Sequence, residues 1–302
     1  MHKVGRTLPR HDEAQVFSGL ILSGPTLLSL AHVQFPLTSY LWPRRHWSLV
    51  VQLTRREVDG RFRQSFMGGL WLVITPLAML MVLTLVFRHV MGVRWPGLLQ
   101  EESHLAFALR LYAGLALFQF FADGVNRAPT LVLSQPQLVK KVVFPLELLA
   151  WVNVGSALVG LLVSGVLLLA GTAWMQGGLS WSVLALPLVW LPMVPLLLGL
   201  GWLLSGMGTY VRDVGQILGP VLSAMMFLTP IFFPVEALPE RFRSYMVANP
   251  LAEPITQTRR VLFEGLWPDW HAWLMHALVC LLVAVVGAAW FARVRRGFAD
   301  VV

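Results

Sequence analysis

Gly201 and Gly206 share the first spacing of the phosphate-cradling loop G-x-x-x-x-G-K-[ST]. Met207 and Gly208 stand where that loop needs lysine and a hydroxyl, so no nucleotide site of this kind is expected. There is no H-E-x-x-H, no G-x-S-x-G and no D-x-D of the sort that holds a metal in sugar transfer. His271 and His276 are five residues apart rather than four, and read as boundary residues rather than ligands. The single cysteine, Cys280, excludes a disulfide within the chain and a cysteine-based structural metal site. The chain is therefore expected to be no enzyme, with no catalytic, metal-ligating or cofactor-binding residue.

What remains is a short set of polar groups inside apolar stretches. Ionisable side chains at membrane depth are costly and so become functional candidates. Arg110 is read equally as functional or as snorkelling outward. Asp123 is expected to pair with Arg127 one turn on, and Glu147 with Lys141 or a neighbouring loop. No file of Asp, Glu and His crosses the apolar segments, which argues against an ion-coupled pump. Rings and hydroxyls are common instead: Trp71, Tyr112, Phe118, Phe120, Phe121, Trp151, Phe227, Thr229, Phe232 and Phe233. Rings can stack on sugar faces, and each can equally pack on lipid or a neighbouring helix.

These residues need elements to carry them. The chain has 302 residues, 57% hydrophobic and 13% charged, about half the usual ~25% charge of a soluble domain. Several apolar runs reach the ~20 residues that span a bilayer. The fold class read from this is an all-α integral membrane protein with six spans, at about 67–87, 105–125, 142–173, 181–205, 216–235 and 271–292. Pro76 is a candidate kink. Residues 46–66 read as an interfacial amphipathic helix, with Trp47, Val51, Val58, Phe62 and Phe66 on its apolar side. Arg55, Asp59 and Arg63 form an i,i+4 ladder on the polar side, and Glu57 precedes Arg61 in the favoured order. Ser156, Gly160, Ser164 and Gly165 give the third span a face for close helix approach. Residues 1–45 read as a poorly determined extension, and 293–302 as a basic tail.

Between spans five and six, residues 236–266 are too apolar for an ordinary loop. They hold two amphipathic pieces broken at Asn249-Pro250. Phe242, Tyr245 and Met246 share a face in the first, and Leu251, Ile255, Leu262 and Leu266 in the second. A pair of short re-entrant helices is expected, shielded by protein or a water-filled cavity.

Orientation follows from Lys and Arg. With the N-terminus inside, the inner segments 1–66, 126–141, 206–215 and 293–302 hold 16 of the 23 basic residues and the outer ones hold 6, Arg110 being the last. Both termini are thus expected in the cytoplasm. This placement accounts for much of the net charge of +8 without nucleic acid. Trp174, Trp181, Trp267, Trp270, Trp273 and Trp290 fall at span ends, as an interfacial belt requires.

Four stretches, in order, carry a resemblance: RREVDGRFRQSFMGGLW, LSQPQLVKKVVFPLELL, RDVGQILGPVLSAMMFLTPIFFPVEALPERFRSYMVANPLAEPI and the terminal RVRRGFADVV. Over roughly 46–302 the chain resembles the ABC-2-type polysaccharide export permeases, the group that exports O-antigen and teichoic acid. The resemblance implies a homodimer in the bacterial inner membrane, working with two copies of a separate ATPase subunit that binds ATP and Mg. It implies ATPase contacts at Arg55, Arg56, Asp59 and Arg63 and at Gln135, Gln137, Lys140 and Lys141. It implies a channel for a lipid-linked glycan along the first and fifth spans, with Trp71, Tyr112, Phe118, Phe227, Phe232 and Phe233 as lining candidates. An outer gate falls at Phe242, Tyr245, Asn249 and Pro250. O-antigen is the favoured polymer, ahead of capsular polymer or teichoic acid. A drug or lipid exporter of the same superfamily, and a membrane-embedded glycosyltransferase, are the alternatives.

Overall fold

The computed structural model describes residues 40–62, 66–86, 104–140, 144–235 and 239–301; the side chains of Phe62, Lys140, Phe242 and Tyr245 lie outside that description. So do Arg63, Lys141 and nearly all of the 1–45 extension. The described residues form helices joined by turns and short connections, with no strand among them.

Among the described residues, twelve α-helices follow one another: α1 (Trp47–Phe62), α2 (Trp71–Thr84), α3 (His104–Arg127), α4 (Pro136–Lys140), α5 (Leu148–Gln176), α6 (Leu186–Trp190), α7 (Met193–Tyr210), α8 (Val214–Leu228), α9 (Glu240–Val247), α10 (Ala252–Phe263), α11 (Trp270–Val294) and α12 (Phe298–Val301). Four helical runs are long and apolar enough to cross a membrane: His104–Thr130, Leu148–Gln176, Trp181–Tyr210 and Trp270–Gly297. The third of these joins a 3-10 turn, α6 and α7 across Leu191-Pro192. α2 and α8 are apolar but shorter, at 14 and 15 residues. The fifth run was expected to reach residue 235, but its helix ends at Leu228. Thr229 turns extended there, and the prolines at 230 and 234 cannot supply the N–H groups that would continue it.

The core lies among α3, α5, α7 and α11. α7 and α11 make the most intimate pair. A Cβ on Gly199 would fall 2.7 Å from the Ala284 Cα, and one on Gly287 2.7 Å from the Gly199 Cα, so the two backbones approach where neither carries a side chain. α3 and α5 are locked by the buried Asn153, whose Nδ2 donates to the Gly124 carbonyl at 2.7 Å. The small residues of α5 serve different partners. Ser156 accepts from the Arg61 guanidinium, Gly165 faces Trp190, and a Cβ on Gly160 would meet open space.

α1 packs on α5 and leaves part of the expected apolar side open. Val50 is buried, while Trp47, Val51 and Phe66 remain exposed. The open apolar side suits a helix lying against lipid. The ion pairs also differ from the local pattern. Arg55 does meet Asp59, at 4.0 Å. Glu57, however, pairs with Arg127 at 3.3 Å, and Asp123 pairs with Arg61 at 4.0 Å. Glu147 pairs with Arg295 at 3.1 Å. For Glu57 and Asp123 a cation from another helix takes the place of the neighbour one turn away, because packing brings it to the carboxylate; Glu147 meets Arg295 after α11, and Lys141 lies outside the described residues.

At the other end α9 and α10 form the expected broken pair, interrupted at residues 248–251. Leu251, Ile255 and Leu262 are fully buried, as their spacing requires. Leu266 is exposed instead: α10 stops at Phe263, and Gly265 at φ 68° turns the chain away before the stripe can reach it. α10 packs against α3, α6 and α11.

Candidate functional site

A cleft of about 330 Å³ with a mixed polar and apolar lining lies between α2, α3 and α5. Trp71, Thr75, Pro76 and Met79 form one wall, and Tyr112, Gln119 and Asp123 another. At one end Gln119 Nε2 donates to Asp123 Oδ1 at 3.0 Å, and the Arg61 guanidinium stands 4.0 Å from the same carboxylate. Burial lowers the pKa of Arg61, as does the nearby Arg127 charge, while Asp123 and Glu57 oppose the shift. Arginine remains a cation at any physiological pH. The cleft thus offers ring faces, hydroxyls, an amide and a paired carboxylate side by side. That mixture can hold an amphiphilic or sugar-bearing molecule.

Of the six lining candidates, Trp71 and Tyr112 meet in this cleft. Phe118 is buried among the helices and does not line it. Phe227 and Phe232 stand apart from the cleft, stacked at 5.7 Å between centroids at the end of α8, and Phe233 is half-buried beside them. α2 has no buried residue and α8 only Leu222. The two helices expected to line a channel are therefore the least covered apolar helices of the bundle.

A second groove, of about 570 Å³, lies between α1 and the segment after α3. Arg56, Glu57 and Gly60 face Arg127, Ser134, Gln135 and Leu138 across it. The expected ATPase contacts are therefore divided. Arg56 and Gln135 share this groove, whereas Arg55 and Asp59 line a separate depression between α1 and α5. Gln137 is exposed on α4.

At the opposite end, Asn249 joins two elements. Its Nδ2 donates to the Leu228 carbonyl at 3.2 Å and lies 3.0 Å from Thr229 Oγ1, while its Oδ1 accepts from Leu251 N at 2.9 Å. Pro250 follows in the turn. The sequence reading named both residues but missed the polar side chains buried beneath them: Gln257, Thr258 and Arg259. Thr258 Oγ1 accepts from Trp190 Nε1 at 3.0 Å and donates to the Pro254 carbonyl at 2.7 Å. The signal was present. Positions 255, 258, 259 and 262 follow i, i+3, i+4, i+7, so Thr258 and Arg259 sit inside the buried stripe.

The match to known proteins follows this geometry. Residues 48–263 match the model of the family described as ABC-2 type transporter, from the start of α1 to the end of α10. The chain belongs to the ABC-2 type transporter family. Among curated members it is similar to the O-antigen export system permease protein RfbA of Myxococcus xanthus, 27% identical over 83% of this chain and 94% of the relative. It is also similar to the polysialic acid transport protein KpsM of Escherichia coli, at 25% identity over 80% and 91%. A third is the capsule polysaccharide export inner-membrane protein CtrC of Neisseria meningitidis serogroup B, at 23% over 81% and 90%. Like them, this ABC-2 chain is a multi-pass membrane protein, and its four long apolar helices account for that.

Proposed function

We propose that this chain is the permease subunit of an ABC transporter that exports a lipid-linked polysaccharide, O-antigen first, outward across the bacterial inner membrane. The observation that carries the reading is the alignment of polysaccharide-export relatives along 90% to 94% of their own length. O-antigen is preferred because that relative has the highest identity of the three, 27% against 25% and 23%, and capsular polymer is the second reading.

In this reading α2, α3, α5, the α6–α7 run, α8 and α11 are the six spans, α1 lies at the inner surface, and α9–α10 re-enters from outside. Both termini are cytoplasmic, in keeping with the basic residues. Two copies face each other across α2 and α8, whose lack of cover within one chain supports this. The glycan passes between them, along Trp71, Tyr112, Phe227, Phe232 and Phe233. Phe242, Tyr245, Asn249 and Pro250 form the outer gate. Two copies of an ATPase subunit, which bind ATP and Mg, dock at Arg55, Arg56, Asp59, Arg63, Gln135, Gln137, Lys140 and Lys141. The groove shared by Arg56 and Gln135 is their shared footing. Closure of the ATPase pair pushes on α1 and α4, and the motion opens the path.

Deletion of the gene tests this. Surface polysaccharide should disappear, its lipid-linked precursor should accumulate inside, and this chain should restore export together with its ATPase. Unchanged surface polysaccharide, ATP hydrolysis by the purified chain alone, or sugar transfer from a nucleotide donor would overturn the reading.

A further inference from the structure

The outer end of α8 poses a problem that its own sequence solves only in part, through Thr229 Oγ1, which donates to the Met225 carbonyl at 2.7 Å. From Thr229 to Pro234 the backbone is not helical, so the last carbonyls of the helix lose their usual donors. At membrane depth water is not there to replace them, and such backbone needs donors from the protein.

Two side chains of the α9–α10 hairpin supply them. Asn249 reaches the Leu228 carbonyl at 3.2 Å. Arg259, only 6% exposed, does more. Its Nη1 donates to the Pro230 carbonyl at 2.6 Å and its Nη2 to the Ile231 carbonyl at 2.7 Å. Its Nε donates to the Arg110 carbonyl of α3 at 3.1 Å. One guanidinium therefore ties α10, the turn after α8 and the second turn of α3 together. The planar fork of arginine holds its donors in fixed directions, which a lysine ammonium cannot reproduce.

Two neighbours are fitted to this arrangement. A Cβ on Gly114 would lie 3.1 Å from Arg259 Nη2 and 3.2 Å from the Ile231 Cα, so glycine leaves the space the guanidinium and the turn occupy. The Arg110 guanidinium lies 5.3 Å from the Phe263 ring centroid, a second tie between α3 and α10. The turn in turn holds Phe232, which is 5% exposed and stacked on Phe227, itself 64% exposed.

We propose that Arg259 is a positioning residue for export. It fixes the non-helical turn at 229–231 to α3 and α10, so that the Phe227–Phe232 pair and the hairpin form one rigid outer end of the path. Arg259 itself stays behind the turn and touches no polymer. The proposal rests on the permease reading, since it assigns the turn to that path.

The test uses the permease–ATPase complex in membrane vesicles, with Cys280→Ala and the reporter Ile231→Cys, whose parent side chain is fully buried. A membrane-impermeant maleimide probes the outer side. Arg259→Gln should raise the labelling rate about tenfold, the shift expected from a net loss of one charged hydrogen bond. It should also lower the glycan exported per ATP hydrolysed, while ATP hydrolysis continues. Arg259→Lys should fall between the two. If Arg259→Gln leaves both labelling and export per ATP at the parent values, the proposal is overturned. If that variant does not accumulate, Gly114→Ala takes its place, because it pushes on the same contact and keeps the charge. Faster labelling then supports the proposal and an unchanged rate overturns it. A parent complex that carries no glycan would instead sink the permease reading, while the labelling comparison would still decide whether Arg259 holds the turn.

Discussion

Both ends of the helix bundle hold buried bonds from side chain to backbone, such as Asn153 to the Gly124 carbonyl and Thr258 to the Pro254 carbonyl, and the end that carries α1 adds partly open ion pairs to them. At the end that carries α1 and the basic tail, charged side chains pair with each other at partly open positions. Arg127 and Glu57 are 36% and 47% exposed, and Arg295 and Glu147 are 33% and 14% exposed. At the end that carries α9 and α10, buried side chains bond to backbone. Ser182 Oγ donates to the Val261 carbonyl at 2.8 Å, and Gln257 Oε1 accepts from Asp269 N at 3.0 Å. The difference matters for what each end can do. An exposed ion pair is worth ~0–1 kcal/mol and can be exchanged for a partner's charges. A buried side-chain-to-backbone bond has one geometry, and leaving it unmade costs about 1–3 kcal/mol. The first end suits a surface that meets another subunit, and the second suits a fixed rim.

The largest effect that separates them is expected at Thr258. Thr258→Val keeps the shape but strands Trp190 Nε1, which now donates to the hydroxyl at 3.0 Å in a buried site. The loss should be about 1–3 kcal/mol, read as a lower thermal midpoint in detergent. Pairing it with Trp190→Phe should recover part of that loss, since both polar partners are then gone. A Thr258→Val protein as stable as the parent would mean that this end is not held by such bonds.

A smaller effect is expected at the other end. Glu147→Gln breaks the 3.1 Å pair with Arg295. Because both groups retain some exposure, the loss should be about 1 kcal/mol or less, and it should shrink as salt is raised from about 0.05 to about 0.5 M. A loss as large as that of Thr258→Val, and insensitive to salt, would erase the distinction between the two ends.

One side of this contrast is easier to read from sequence than the other. The four long apolar runs follow from length and hydropathy, and the break at Asn249-Pro250 follows from proline chemistry and the two apolar faces. These signals are local. Ion partners are not local: Asp123 has a cation four residues away, yet it meets Arg61 of α1 because α1 folds back across the end of α3. The buried face of α1 is hidden for the same reason, since Val50 and Val51 are chemically alike and only contact with α5 decides which is covered. Arg259 and Arg260 look alike in sequence as well. One lies in the stripe and is buried, while the other is half-exposed with its Nε donating to the Trp267 carbonyl at 3.0 Å. A stripe followed through charged positions as well as apolar ones singles out Arg259.

The smallest effect at neutral pH, and the most specific, is expected at Tyr40. Its ring packs edge-on to Trp202 at 5.8 Å and lies beneath the Arg295 guanidinium, and its carbonyl accepts from Trp151 Nε1 at 2.8 Å. The hydroxyl is buried without a hydrogen-bond partner among the described residues. Burial, reinforced by the Glu147 charge and opposed by Arg295, pushes the phenol pKa up to about 12. The unfolded phenol ionises near pH 10 and the folded one near 12, so between those values the unfolded chain binds fewer protons. Stability from this group is complete below about pH 10 and falls as pH rises towards about 12, by about 1 kcal/mol per pH unit. Tyr40→Phe keeps the ring and removes the titrating group. The phenylalanine variant should melt modestly higher at about pH 7, because it lacks the buried unpartnered hydroxyl, and the gap should widen above about pH 10. Matching melting curves up to about pH 11 would mean that the phenol is solvated, and that this end of the bundle is more open than its ring packing implies.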